Sequence, residues 1–186
     1  TSRPPFQPVP LAALAGPSHM PVKRTPMDRV HRDLGAEMVD AGPWQRAHNY
    51  GSPPDECVAV RERVGIIDVS TLGKLEVRGS DAPILLDKIY THMFSDLRVG
   101  RVRYGLMCSD NSTILDDGTV TRLADDRYFV TTTTGNVDLI EEWFNWWKAG
   151  TGQCAHVINV TSAYGAVNMA GPKARETLSK LTNIDL

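Results

Sequence analysis

Apolar and polar residues alternate with a period of two through the middle of the chain, which is typical of strands in a sheet with one buried face. Residues 73–78 show this alternation, and residues 104–134 contain three further strands. We expect turns between those three strands at Asp116-Asp117-Gly118 and at Asp125-Asp126, because Asp and Gly are preferred in turns. Residues 154–160 form another strand, so the middle of the chain is predicted to be an antiparallel meander.

Helical spacing of apolar positions appears on both sides of these strands. Residues 27–34, 55–64, 81–90 and 137–149 are predicted helices, with Gly35 ending the first of them. In the last helix, five apolar positions form one wide face. We expect this helix to pack on the strand at 128–134, near the centre of the sheet. A short strand is also predicted at 36–39, and residues 65–69 are expected to form a buried approach to a turn at Ser70-Thr71. The predicted fold class is therefore α+β, an antiparallel sheet with packed helices.

A weak internal repeat relates residues 73–89 to residues 165–181. Each copy reads as a strand, a glycine turn and a helix. Repeated units of this kind bury their apolar faces against each other. The second copy ends soon after its helix, so we expect the domain over residues 25–186 to be incomplete at its C-terminus. Residues 1–24 contain six prolines and little periodicity, which indicates a linker or an extended arm.

The composition of the chain argues against several classes of binding partner and binding site. The formal net charge is −2, which provides no basic field for nucleic acid or anionic membrane. The three cysteines form no C-x-x-C pair and the five histidines lack metal-ligand spacing, so we expect neither a disulfide framework nor a metal site. No run is long enough for a membrane helix, and no dinucleotide or nucleoside triphosphate motif occurs. A cytoplasmic location fits these features.

Several separate motifs occur in a specific order. Residues 61–70 read Arg-Glu-Arg-Val-Gly-Ile-Ile-Asp-Val-Ser, and residues 103–107 read Arg-Tyr-Gly-Leu-Met. Leu-Asp-Asp-Gly at 115–118 and Thr-Thr-Thr-Thr-Gly at 131–135 follow. In this order the motifs resemble the glycine-cleavage T-protein family of aminomethyltransferases. The resemblance implies a T-protein-like domain that binds tetrahydrofolate.

The Asp-Val-Ser motif continues differently from that of T-proteins, which usually have His-Met-Gly at this point. Here it continues as Thr71-Leu72-Gly73-Lys74, which is similar to the folate-binding C-terminal part of the sarcosine oxidase alpha subunit. The proline-rich residues 1–24 resemble the connector that precedes that part. This resemblance implies a multi-subunit or oligomeric assembly with a possible flavoprotein subunit, and an amine-derived small molecule as the one-carbon donor.

The resemblance also implies site residues. The functional acid of the family matches Asp117 best, with Asp116 as the alternative, and a carboxylate there can orient the folate amine and accept its proton. Alternation predicts that Asp117 lies on the same side of its strand as Leu115. Tyr104 is the candidate for stacking on the folate rings. Val130 and Thr132, on one face of the neighbouring strand, are the other candidate cofactor-binding residues, and we expect them to share a concavity with Asp117 and Tyr104.

Each candidate also has an ordinary structural interpretation. The acidic pair can be a polar hairpin turn, Tyr104 can be a core residue, and the threonine run can reflect β-propensity alone. The favoured function is transfer of a methylene unit to tetrahydrofolate. The alternative is a non-catalytic folate-binding or subunit-assembly module of the same fold. For this chain alone we expect no turnover and weak or no binding of tetrahydrofolate, because a family glutamate that holds the pterin would lie beyond Leu186.

Overall fold

A computed structural model describes residues 23–186, which divide into two compact units. The sheet unit comprises Leu72–Ala163, and the split unit comprises residues 23–71 together with Tyr164–Leu186. Most of the predicted arm, residues 1–22, lies outside the described residues. The elements are, in chain order, β1 (Lys23–Arg24), α1 (Asp28–Asp33), β2 (Glu37–Ala41), β3 (Trp44–Asn49), α2 (Pro53–Glu62), β4 (Gly65–Asp68), β5 (Gly73–Arg78), α3 (Ala82–Ile89), β6 (Val102–Cys108), β7 (Ile114–Ala124), β8 (Arg127–Thr132), α4 (Val137–Lys148), β9 (His156–Asn159), β10 (Val167–Ala170) and α5 (Ala174–Leu178).

Five antiparallel strands form the sheet unit in the order β6-β7-β8-β5-β9. Strand β8 is therefore central, and the predicted antiparallel α+β fold is confirmed. Helices α3 and α4 cover one side of the sheet, which we call the core face. The residues buried between the helices and this face include Leu75, Val77, Leu85, Leu86, Met107, Val120, Tyr128, Val130, Ile140 and Phe144. The opposite side of the sheet is the outer face.

The acidic pair does not form a turn, which corrects the expectation from sequence. Strand β7 runs through Asp116, Asp117 and Gly118 without a break, and these residues pair with β6. The hairpin instead closes at residues 109–113, where Ser112 adopts a left-handed φ of 66°. Strand pairing along the 11-residue β7 outweighs the turn preference of one Asp-Asp-Gly triplet.

The split unit contains a three-stranded sheet, β1-β3-β2, and a two-stranded sheet of β4 and β10. Strand β3 is not predicted by the sequence pattern. Strand β4 lies where the sequence pattern indicates a buried approach to a turn, and the predicted burial is wrong, because Ile66 and Ile67 are 59% and 49% exposed. Helix α2 also buries none of its residues. Across the described residues, no helix is long and apolar enough to span a membrane.

Both copies of the internal repeat fold as a strand, a glycine and a helix. In the sheet unit Gly79 links β5 to α3, and in the split unit Gly171 links β10 to α5. The two glycines share a φ of +124°, a backbone conformation that residues with a side chain rarely adopt. A Cβ at Gly79 would lie 2.1 Å from the carbonyl oxygen of Cys154. The repeat therefore reproduces a backbone turn as well as a residue pattern.

Candidate functional site

Tyr104 and Asp117 lie together on the outer face of the sheet unit. Strand β6 pairs Leu106 with Asp117 and Tyr104 with Thr119, so all four side chains project to the same side. The Tyr104 hydroxyl donates a hydrogen bond to Oδ2 of Asp117. The tyrosine is 55% exposed and Asp117 is partly buried. The structure thus brings a carboxylate and an accessible aromatic ring into one cluster.

The hydrogen bond changes the properties of the phenol. Ionisation of Tyr104 would lose the hydrogen bond to Asp117 and place two negative charges side by side, so the pKa of Tyr104 is raised above its ordinary value. Within residues 23–186, no other group donates to the Asp117 carboxylate. Oδ2 is engaged by the tyrosine, and within the described residues Oδ1 accepts no hydrogen bond.

Asp116 points to the other side of β7 and is only 3% exposed. Its Oδ2 accepts from the backbone N–H of Thr133 at 3.0 Å, and its Oδ1 accepts from Nδ2 of Asn136 at 3.3 Å. Nδ2 of Asn136 also donates to the carbonyl oxygen of Leu115. Asp116 is therefore bound to the loop that precedes α4, and it does not share a surface with Tyr104.

The expected alternation fails at the start of β7. The register between β6 and β7 shifts between Met107 and Cys108, and Leu115 has no partner in the ladder. Leu115 packs against the core cluster, whereas Asp117 faces away from it. The prediction that Asp117 shares the side of Leu115 is wrong, because this β-bulge adds one residue to the strand.

Val130 and Thr132 are the other two predicted site residues, and they lie on the core face. They are 0% and 2% exposed. Val130 pairs with Val120 and Leu75 inside the core, and Thr132 packs over Gly73, where a Cβ would lie 2.0 Å from its hydroxyl. The expectation that these two residues share one surface with Asp117 is wrong, because the pleat places them on the opposite side of the sheet.

Thr131, not selected from the sequence, occupies the outer face of β8. Its hydroxyl accepts from the backbone N–H of Thr119 at 2.9 Å and hydrogen bonds to the Thr119 hydroxyl at 2.9 Å. A Cβ on Gly118 would lie only 2.0 Å from the Thr131 carbonyl oxygen. The alternation of side chains predicts that Thr131 lies on the face of β8 opposite to Val130 and Thr132. Which of these two faces carries Asp117 could be decided only from the pairing of β7 with β8.

A buried lysine lies on the same face, one strand further along. Lys74 pairs with Thr131, is 3% exposed, and donates from Nζ to the carbonyl oxygen of Leu72 at 2.9 Å. The outer face therefore carries a cross-strand row of polar groups, in the order Tyr104, Thr119, Thr131 and Lys74. The Thr71-to-Lys74 motif in the sequence includes this residue, but nothing in the motif indicates its burial.

The split unit contains a second polar cluster, formed entirely by its own residues. Nε2 of His31 lies 2.9 Å from Oδ2 of Asp68, and Nδ1 lies 2.6 Å from the Tyr50 hydroxyl. Burial alone would raise the pKa of Asp68, but hydrogen bonds from Ser70 and His31 outweigh it and lower the pKa. Both ring nitrogens of His31 are engaged, so this cluster joins α1 to β4 and agrees with a structural histidine.

Two further groups of side chains are the possible metal ligands and the tryptophans of α4. Among residues 23–186, no group of three or more His, Cys, Asp or Glu side chains is arranged to hold a metal ion. Trp143, Trp146 and Trp147 contact one another on α4, and the first and last of them also pack against the core cluster. Their arrangement agrees with core and surface packing on the helix.

The chain is similar in sequence to a known protein family and to proteins of known name. Residues 27–186 match the model of a family described as the GCVT N-terminal domain. The chain is 40% identical over 204 residues to the sarcosine oxidase subunit alpha of Corynebacterium sp. (strain P-1), and the match covers 100% of this chain but 21% of that protein. It is 38% identical over 161 residues to an aminomethyltransferase of Symbiobacterium thermophilum, covering 86% of this chain and 43% of the relative.

A solved structure supports the fold. The glycine cleavage system aminomethyltransferase T from Bartonella henselae matches with a TM-score of 0.79 and 24% sequence identity. The match covers 85% of this chain and 43% of that chain. The chain thus spans less than half the length of each of these relatives.

Proposed function

Because the chain belongs to the GCVT N-terminal domain family, we propose that it takes part in transfer of a one-carbon unit to tetrahydrofolate. Asp117 is the catalytic residue of this proposal and Tyr104 is its partner in binding. The observation that carries the proposal is the hydrogen bond from the Tyr104 hydroxyl to the Asp117 carboxylate on the outer face. It favours Asp117 over Asp116, whose carboxylate faces the core.

The chemistry of the outer face fits a flat ring with N–H groups at its edge. Tyr104 offers an exposed aromatic ring for stacking, and Leu106 is a partly buried apolar neighbour in the ladder. Oδ1 of Asp117 offers an acceptor for an N–H group. Tetrahydrofolate supplies such a ring together with the nucleophilic nitrogens that take up the one-carbon unit. A ligand that stacks on Tyr104 would bring its polar edge toward Asp117.

Three roles for Asp117 follow from this geometry. Its free oxygen orients the reacting amine, its negative charge stabilises a cationic one-carbon donor, and the carboxylate accepts the amine proton as the new bond to carbon forms. The Tyr104 hydroxyl holds Oδ2, so the carboxylate keeps one orientation. Positioned proton transfer of this kind contributes about 10²- to 10⁴-fold to a rate.

The one-carbon donor and the partner subunit are proposed by analogy with the relatives. Sarcosine oxidase subunit alpha, by its name, is one subunit of an oxidase. For this chain we propose an amine-derived small molecule as the donor, and a flavoprotein subunit as the partner that generates the reactive carbon. Val130 and Thr132 have only a supporting role in this proposal, through the core beneath the site.

Asp117→Asn tests the proposal in the full-length gene product. Loss of a hydrogen bond to a charged group costs about 1.5–3 kcal/mol, so the affinity for tetrahydrofolate measured by calorimetry should fall about 10- to 100-fold. Formation of methylenetetrahydrofolate should fall by a larger factor. Asp126→Asn is the matched control, because Asp126 is an exposed turn residue of the same sheet unit.

Each outcome discriminates between the candidate functions. Unchanged turnover in Asp117→Asn would contradict the catalytic role. Unchanged binding with lost turnover would support a role in proton transfer. If the unsubstituted protein binds no tetrahydrofolate, the proposed function fails and the subunit-assembly module becomes the better interpretation.

A further inference from the structure

Asp116 is a buried carboxylate next to the proposed catalytic residue, and the proposed reaction does not use it. It pairs with Met107, a fully buried core residue, on the face opposite to Asp117. Burial of a carboxylate in an apolar core is costly. The pKa of the neighbouring Tyr90 is raised, first by burial and then by the charge of Asp116. A carboxylate at this position therefore depends on the polar groups that donate hydrogen bonds to it.

The contacts of Asp116 are specific to a carboxylate. The Thr133 N–H and the Asn136 side-chain amide both donate to it, and each lies closest to a different oxygen. An asparagine at this position has one acceptor oxygen, so its NH₂ group would face one of the two donors. The same Asn136 amide also binds the carbonyl oxygen of Leu115, the bulged residue. One cluster of hydrogen bonds therefore fixes the bulge and the residue that follows it.

A second anchor holds the strand on the other side of Asp117. Gly118 passes so close to Thr131 that no Cβ fits between them. The backbone N–H of Thr119 donates to the Thr131 hydroxyl. Asp117 thus lies between two residues whose backbone positions are set by β8 and by the loop that follows it. The direction of its side chain depends on both anchors, because a rotation of the bulge would turn Asp117 away from Tyr104.

We propose that Asp116 is a positioning residue that holds Asp117 on the outer face, in contact with Tyr104, by binding the loop that precedes α4. The proposal rests on the proposed role of Asp117, but its structural content can be measured without any ligand. The readout is the pKa of Tyr104, which the hydrogen bond to Asp117 raises. Tyrosine labelled with ¹³C at Cζ reports this pKa by NMR, and Tyr104→Phe assigns the signal.

The charge of Asp116 also acts on Tyr104 directly, so single substitutions are not sufficient. A double-mutant cycle separates the two effects. Asp116→Asn is measured in the unsubstituted protein and in Asp117→Ala, where only the direct charge effect remains. We expect the fall in the pKa of Tyr104 caused by Asp116→Asn to be at least twice as large in the presence of Asp117 as in its absence. Equal falls in the two backgrounds would overturn the proposal.

Asn136→Ala replaces Asp116→Asn in the same cycle if the latter does not fold. This variant keeps the charge of Asp116, and the Asn136 side chain makes no capping hydrogen bond to α4, so the helix retains its own bonds. A Tyr104 pKa equal to that of the Asp126→Asn control would then count against positioning. Coupling in the cycle together with unchanged turnover in Asp117→Asn would retain the positioning role and reject the catalytic role of Asp117.

Discussion

Replacing Gly118 with alanine should destabilise the sheet unit more than any ordinary surface substitution. A Cβ at this position would lie 2.0 Å from the backbone carbonyl oxygen of Thr131 and 2.9 Å from its carbonyl carbon. Contacts of a real Cβ essentially never fall below 3.0 Å. The obstacle is backbone in a central strand and cannot rotate away as a flexible side chain would. Strands β7 and β8 must therefore separate by about 1 Å for the alanine to fit.

The expected cost has two parts. Forced displacement in a packed region costs about 1–3 kcal/mol. The same displacement weakens the two hydrogen bonds between Thr119 and Thr131, each 2.9 Å long and worth about 1 kcal/mol. We expect Gly118→Ala to lower the free energy of unfolding by about 2–4 kcal/mol, a large fraction of the ~5–15 kcal/mol of a typical domain.

Urea denaturation followed by tryptophan fluorescence measures this change. Trp143, Trp146 and Trp147 lie in the sheet unit, so three of the four tryptophans report on it. Gly135→Ala is the control, because an added Cβ there meets nothing within 4 Å. The control should stay within about 0.5 kcal/mol of the unsubstituted protein. A Gly118→Ala variant with the same stability as the control would refute the reasoning.

Two further predictions concern Val130 and Asp68. Val130→Ala removes two buried methyl groups and should lower the free energy of unfolding by about 1.5–3 kcal/mol. The pKa of Tyr104, measured by NMR, should stay unchanged. A shifted pKa of Tyr104 would instead indicate that Val130 belongs to the site. Asp68→Asn should lower stability at pH 7. Because folding lowers the pKa of Asp68 below its ordinary 3.8, its contribution is present above that pH and is lost as the pH falls through the folded-state pKa. Urea titrations at pH 7 and pH 3 check this, and an equal loss at both would contradict it.

The sequence determined most of the elements and their order, with β3 as an exception. The alternation at Gly73–Arg78 predicts β5 with the bounds found in the structure, and the wide apolar face of residues 137–149 predicts α4. The motifs at 61–70, 103–107 and 115–118 indicate the family, and they select Tyr104 and Asp117 before any coordinates are known. These features are local, because periodicity and short motifs depend on neighbours along the chain.

The tertiary structure alone decided which side of the sheet each residue faces. One bulged residue, Leu115, moves Asp117 to the outer face, and the pairing of β7 with β8 places Val130 in the core and Thr131 beside Thr119. Because side chains alternate with a period of two, a single inserted residue reverses every assignment after it. The position of such an insertion depends on hydrogen bonds between segments that are distant in sequence. The periodicity of residues within one strand therefore does not predict where these hydrogen bonds form.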